Sequence, residues 1–355
     1  MSVFEKAPTD GYHFMKIHWA PISVPIRRRL QTFSIAIQVF SFTVFPIICI
    51  ILPIYILFFT KYWPIMAAYF CWYLADFNTP ENGGRDIPLA RNFPFWRPMA
   101  SYFPMSIEKT VDLDPNKNYL MGYHPHGIIC FGALNMWVDG VHREFKKLFP
   151  GLKGRLCMLS FWFKIPIFRE YILACLLPPT KKAITNFFKS DTGVGNCAML
   201  VPGGSKEALL SKPGHPEIIL KPRLGFIKLA ITNGTPLVPI FAFGENDIYN
   251  NKISEKKSKF AQFLSEKVFV GIEFPEFSGR GLFNYTSGML PFRRPIHIVV
   301  GEPVPVEKRQ NPSKEYLEEI HGKYLNNLVK VYDTHKYKYV PRSGPNNQVP
   351  DLIIN

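Results

Sequence analysis

The chain has 355 residues and a formal charge of +15, although only 19% of its residues are charged. Aromatic residues make up 15%, with 31 Phe, so the basic side chains are interleaved with bulky apolar ones. That mixture suits an anionic membrane surface or a phosphate-bearing substrate and argues against a nucleic-acid binder, whose basic residues gather on a polar, lysine-rich face.

Residues 1–31 read as a cytosolic N-terminal tail. From Thr32 to Thr60 no residue is charged, and after Lys61 the apolar character resumes through Leu74. A bilayer span needs roughly 20 apolar residues. The stretch 32–76 is therefore long enough for two spans or one re-entrant hairpin, with a break expected near Pro46 and Pro53. It starts too late and runs too long for a cleavable signal peptide. Arg27, Arg28 and Arg29 precede it, and Arg85, Arg91 and Arg97 follow it. Basic flanks on both sides place both ends in the cytosol.

Residues 77–111 form a connector in which Phe93, Phe95, Trp96, Tyr102 and Phe103 alternate with Arg and Pro. This composition suits a segment lying at a lipid interface. From 112 to 340 the pattern becomes α/β. Strands are expected at 119–123, 155–161, 198–201, 237–243 and 296–300, and helices at 127–138, 164–175, 181–189, 224–232 and 313–338. Alternation of this kind implies a mostly parallel sheet flanked by helices. Residues 341–355 are left as a C-terminal tail.

Three loops in this region carry chemistry. The first is His124-Pro125-His126-Gly127, at the end of the apolar run Tyr119 to Tyr123. Histidine is the side chain whose ordinary pKa suits proton abstraction near neutrality, so general-base work is expected here. The second is Pro202-Gly203-Gly204-Ser205-Lys206-Glu207, a turn whose backbone N–H groups can hold an anion or oxyanion. The third runs from Arg223 and Lys228, a candidate phosphate grip, to Gly244-Glu245-Asn246. The six cysteines are scattered singly, and no metal-ligand spacing, Walker loop or GxSxG elbow is present.

In this order behind the hydrophobic stretch, these motifs resemble the type-2 diacylglycerol acyltransferase family. The resemblance extends to Trp72-Tyr73, Asp76 to Pro80 with Gly83-Gly84-Arg85, Phe149-Pro150-Gly151, Arg169-Glu170-Tyr171, Gly279 to Phe283 and Val299 to Pro303. It implies a glycerolipid-acyltransferase-like α/β fold and fatty acyl-CoA as co-substrate, with no metal or redox cofactor. Diacylglycerol is the implied acceptor, with monoacylglycerol or a long-chain alcohol as alternatives. The implied setting is the endoplasmic reticulum membrane and lipid droplets, with the bilayer as partner and homo-oligomerisation left open. A hairpin protein that only coats droplets is the rival, but it would need neither the histidine loop nor the α/β domain.

On this resemblance His124 is the base, with His126 and Glu207 beside it. Pro125, Gly127, Gly203, Gly204, Arg223, Lys228 and Asn246 contact substrate. Related glycerolipid acyltransferases use a histidine followed four residues later by an aspartate, whereas here His124 is followed by Ile128 and Ile129. The orienting role therefore falls elsewhere, with His126 and Glu207 as candidates, or is dispensed with.

Overall fold

A computed structural model describes residues 12–14, 17–85, 87–137, 141–190, 193–251, 276–340 and 348–355. Parts of both expected tails (1–11 and 341–347) and Val138, the expected end of a helix, lie outside the described residues.

Seven strands form the central sheet: β1 (Met105–Lys109), β2 (Tyr119–His124), β3 (Lys153–Cys157), β4 (Leu176–Leu177), β5 (Asn196–Leu200), β6 (Leu237–Phe243) and β7 (Ile296–Val300). Their spatial order is β1-β7-β6-β2-β5-β3-β4. The five strands from β6 to β4 are parallel. β7 runs antiparallel to β6 and pairs with β1 in its own direction. Both β2 and β6 are buried along their whole length, which is why they read as unbroken apolar runs. The sheet is mostly parallel, as expected.

β1 lies inside the segment expected to be an interfacial connector, so a domain beginning at 112 would lose its edge strand. Its sequence mixes charges into a half-buried edge and offers no apolar run. Trp96, Tyr102 and Phe103 of the same segment are buried in the core.

The helices that position the site are α1 (Ile26–Thr43), α2 (Phe45–Phe59), α3 (Trp63–Ala75), α4 (Phe131–Asn135), α5 (Phe168–Leu173), α6 (Lys181–Phe188), α7 (Gly204–Leu210), α8 (Gly225–Asn233) and α9 (Lys314–Tyr339). The expected helix at 127–138 begins only at Phe131, because Gly127 and Cys130 both adopt left-handed backbone conformations. The one expected at 164–175 shortens to α5 behind Pro166 and Ile167, the latter with φ of 64°.

The hydrophobic stretch differs from the expected two-armed hairpin. It forms three helices, broken at Val44 and at Thr60–Tyr62, with Pro46 and Pro64 in the first turns of α2 and α3. A proline's missing N–H is harmless in a first turn, so it starts a helix there. Pro53 stays inside α2. Among the described residues no single helix is long and apolar enough to cross a membrane; α1 and α2 reach that length and hydropathy only as a pair bent by 57°. The buried face of α1 is largely polar: Gln31, Thr32, Ser34, Gln38 and Ser41 are buried beside Ile35 and Val39, while Leu30, Phe33, Ile37 and Phe40 are exposed.

A charged cluster joins α3 to α5. The fully buried Arg169 contacts Asp76 at 2.7 Å and stacks over Tyr73. Arg85 bridges Asp76 and Glu170 and lies over Trp72. The sheet has a core on each face. One contains Tyr119, Met121 and Tyr123 with side chains of α1, α4 and α5; the other contains Leu120 with side chains of α6, α8 and α9. Successive residues of β2 thus serve opposite faces.

Candidate active site

Three chemical loops meet because β2, β5 and β6 are adjacent and parallel. His124 ends β2, Pro202-Gly203-Gly204 follows β5, and Gly244-Glu245-Asn246 follows β6. The carboxyl ends of parallel strands are where open α/β sheets form their ligand crevice.

His124 falls on the α9 face, in alternation with Tyr123. Its Nε2 lies 3.0 Å from the Tyr324 hydroxyl of α9, which also reaches the Gly122 carbonyl at 3.3 Å. Both rings are fully buried. Burial lowers the His124 pKa to about 3, so the imidazole is neutral at physiological pH. The His124–Pro125 peptide is cis. His126 is only partly buried, and its Nδ1–H donates to the Gly127 carbonyl at 2.9 Å.

Glu207 holds the loop's backbone rather than an imidazole. Its Oε1 accepts the His126 N–H at 2.5 Å and its Oε2 accepts the Ile219 N–H at 2.8 Å. Gly203 makes room for this carboxyl, since a Cβ there would stand 2.0 Å from Oε2. Burial lifts the Glu207 pKa to about 7, against the two N–H groups and the charge of Arg223. The Arg223 guanidinium donates to the Gly203 carbonyl at 2.9 Å, tying the helix-preceding loop to the glycine turn.

Glu245 supports the same loop from the opposite face. Its Oε2 accepts the Tyr123 hydroxyl at 2.7 Å and the Gly132 N–H at 3.0 Å. Burial raises this carboxyl to about 7 as well. Gly127, with φ of +61°, packs directly on it, and a Cβ there would lie 2.9 Å from Glu245 Cγ. The histidine loop is therefore gripped by a buried carboxyl on each side.

Other expected contacts take different positions. Asn246 accepts from Ser211 and donates to the His215 carbonyl, bracing a neighbouring loop. Lys228 stands exposed on α8. The Gly204 N–H is spent on the Val201 carbonyl at 3.2 Å, which removes it from the candidate oxyanion donors.

A family model described as diacylglycerol acyltransferase matches residues 55–345. The chain belongs to this family. Bovine (Bos taurus) 2-acylglycerol O-acyltransferase 1 is 38% identical, with 92% of this chain and 97% of the relative aligned. Diacylglycerol O-acyltransferase 2B of Umbelopsis ramanniana is also 38% identical, over 92% and 93%. Human (Homo sapiens) diacylglycerol O-acyltransferase 2 matches at 38%, over 88% and 81%. Among solved structures, the 1-acyl-sn-glycerophosphate acyltransferase PlsC of Thermotoga maritima aligns at 12% identity and a TM-score of 0.37, over 87% of this chain and 96% of its own.

The site also contains one residue that no motif announces, Tyr324, and one, Glu245, that lies in a motif without a role assigned to it. Tyr324 sits 200 positions from His124 on an amphipathic helix, where a tyrosine reads as core packing. Glu245 had a signal: a carboxylate directly after the fully apolar β6 must be buried and partnered.

Proposed function

We propose that this glycerolipid acyltransferase moves a fatty acyl group from acyl-CoA to the free hydroxyl of diacylglycerol, yielding triacylglycerol and CoA. The observation that carries this is the neutral, buried His124 where three loops of adjacent parallel strands converge. His124 takes the acceptor's proton as its oxygen attacks the thioester carbonyl. Seclusion from water favours transfer over hydrolysis of the thioester. Arg223 and Lys228 supply cationic groups for the CoA phosphates. The apolar exterior of α1, α2 and α3 supports a seat in the endoplasmic reticulum membrane or on lipid droplets, where the acceptor is dissolved.

A second acceptor, monoacylglycerol, is favoured by the bovine 2-acylglycerol acyltransferase, which is as similar as the diacylglycerol enzymes. A microsomal assay with labelled acyl-CoA and each acceptor in turn decides between them. His124→Ala should lose at least ~100-fold of the transfer at equal expression. Full activity in that variant would remove His124 as the base.

A further inference from the structure

Resting on the reading of His124 as the base, we propose that Tyr324 fixes the tautomer of this histidine, so that Nδ1, rather than Nε2, accepts the acceptor's proton. Tyr324 is a positioning residue brought from the closing helix, supplying the orienting group that the loop itself lacks.

The argument is one of counting donors. The Tyr324 hydroxyl has one proton and two neighbours, Nε2 of His124 at 3.0 Å and the Gly122 carbonyl at 3.3 Å. A carbonyl only accepts, so both contacts are hydrogen bonds only if the hydroxyl donates to Gly122 and accepts from a protonated Nε2. In the other tautomer the hydroxyl would donate to Nε2, the Gly122 contact would lose its proton, and Nδ1–H would be a buried donor. Nδ1 has no hydrogen-bond partner among the described residues. An unmade N–H bond in a fully buried ring is costly, whereas a bare Nδ1 lone pair is what a base requires.

The backbone shows that this position is built for the hydroxyl. Gly122 and His124 lie two residues apart on one face of β2. A Cβ at Gly122 would stand 2.0 Å from the Tyr324 hydroxyl oxygen, so the missing side chain is the socket. The two rings meet edge to face at 6.0 Å, and Phe226 flanks Tyr324 at 5.1 Å. In the reaction the acceptor's O–H proton moves to Nδ1 while oxygen bonds to the acyl carbon. The C–S bond then breaks, and the proton passes from Nδ1 to the departing CoA sulfur. Throughout, Nε2–H stays on Tyr324.

Full-length enzyme in microsomes tests this. Tyr324→Phe should lower kcat about 30- to 100-fold, because the wrong tautomer is then free to form. KM for acyl-CoA and acceptor should stay within about twofold, since the residue acts through His124 alone. His124→Ala combined with Tyr324→Phe should be no slower than His124→Ala, as expected for groups acting as a unit. Replacing Tyr324 by mono- and difluorinated tyrosine keeps its shape but weakens the oxygen as an acceptor, and kcat should fall severalfold with each fluorine. Wild-type kcat in Tyr324→Phe and in the fluorinated proteins, with His124→Ala inactive, would overturn the role of Tyr324 and leave the base in place. Activity retained in His124→Ala would instead remove the base itself.

Discussion

Glu207 and Glu245 are both buried carboxyls raised to about 7, yet their oxygens are used differently. In Glu207 each oxygen accepts a backbone N–H. In Glu245 both bonds fall on Oε2, and Oε1 has no partner. A proton or an amide NH2 therefore fits at Oε1 of Glu245, and at neither oxygen of Glu207. Both carboxyls bind a proton more tightly folded than unfolded, where their ordinary value is 4.5. Their contribution to stability is complete below pH 4.5 and is lost as the pH rises to about 7. Glu245→Gln should abolish its share of that loss. It should melt like wild type near pH 5 and gain about 3 kcal/mol over it near pH 8. Glu207→Gln sets an NH2 against an N–H, so it should cost about 1–3 kcal/mol and loosen His126. Thermal melts across this pH range separate the two, and a Glu245→Gln protein less stable than wild type near pH 8 would contradict the assignment.

The docking of α3 on α5 depends on ion pairs whose partners lie about ninety residues apart in the chain. Arg169 is wholly buried, bonded to the Asp76 carboxylate and to the carbonyls of Tyr73 and Asp76. Arg169→Ala leaves the Tyr73 and Asp76 carbonyls without its N–H donors, although Asp76 keeps Arg85, so stability should fall by ~2–3 kcal/mol. Arg85 is partly exposed, and solvent screens its two bridges. Arg85→Ala should cost roughly 1 kcal/mol or less. Denaturant titration in detergent measures both, and equal losses would mean that burial does not set the ranking. These segments, Asp76 to Arg85 and Arg169-Glu170, are legible in the chain as motifs, but their contact is not, since ordinary surface charges look the same. Strands 237–243 and 296–300 read with their true limits because a sheet covered on both faces needs long apolar runs, broken here only at the half-buried His297. β1 escapes the same reading because Ser106, Glu108 and Lys109 break its apolar pattern. The histidine and glycine loops declare themselves through residues that only turns tolerate. Tyr324 does not, because its partner is set by how α9 crosses the sheet.

The whole molecule is asymmetric: the α/β core hides its apolar side chains, while the first three helices display theirs. α2 exposes Ile51 at 60% and Phe58 at 71%, and α1 turns its glutamines, serines and a threonine inward while Phe33 and Phe40 face out. Water would favour the reverse arrangement, so a surface of this kind needs an apolar neighbour, which the proposed seat in lipid would supply. The sheet face against which α1 packs is also the one that carries Tyr123. These apolar helices therefore adjoin the strand that ends in His124, although the imidazole itself lies on the opposite face of the sheet, toward α9. Ile51 and Phe58 stand seven residues apart on one side of α2. Aspartate at a membrane-embedded position costs about 2.5–3.5 kcal/mol. The double variant Ile51→Asp/Phe58→Asp should therefore shift from the membrane pellet to the supernatant after carbonate washing. In detergent micelles, where acceptor is delivered directly, its transfer rate should stay near wild type, because neither side chain touches the loops around His124. Retention in the pellet at wild-type levels would show that α2 does not face the bilayer.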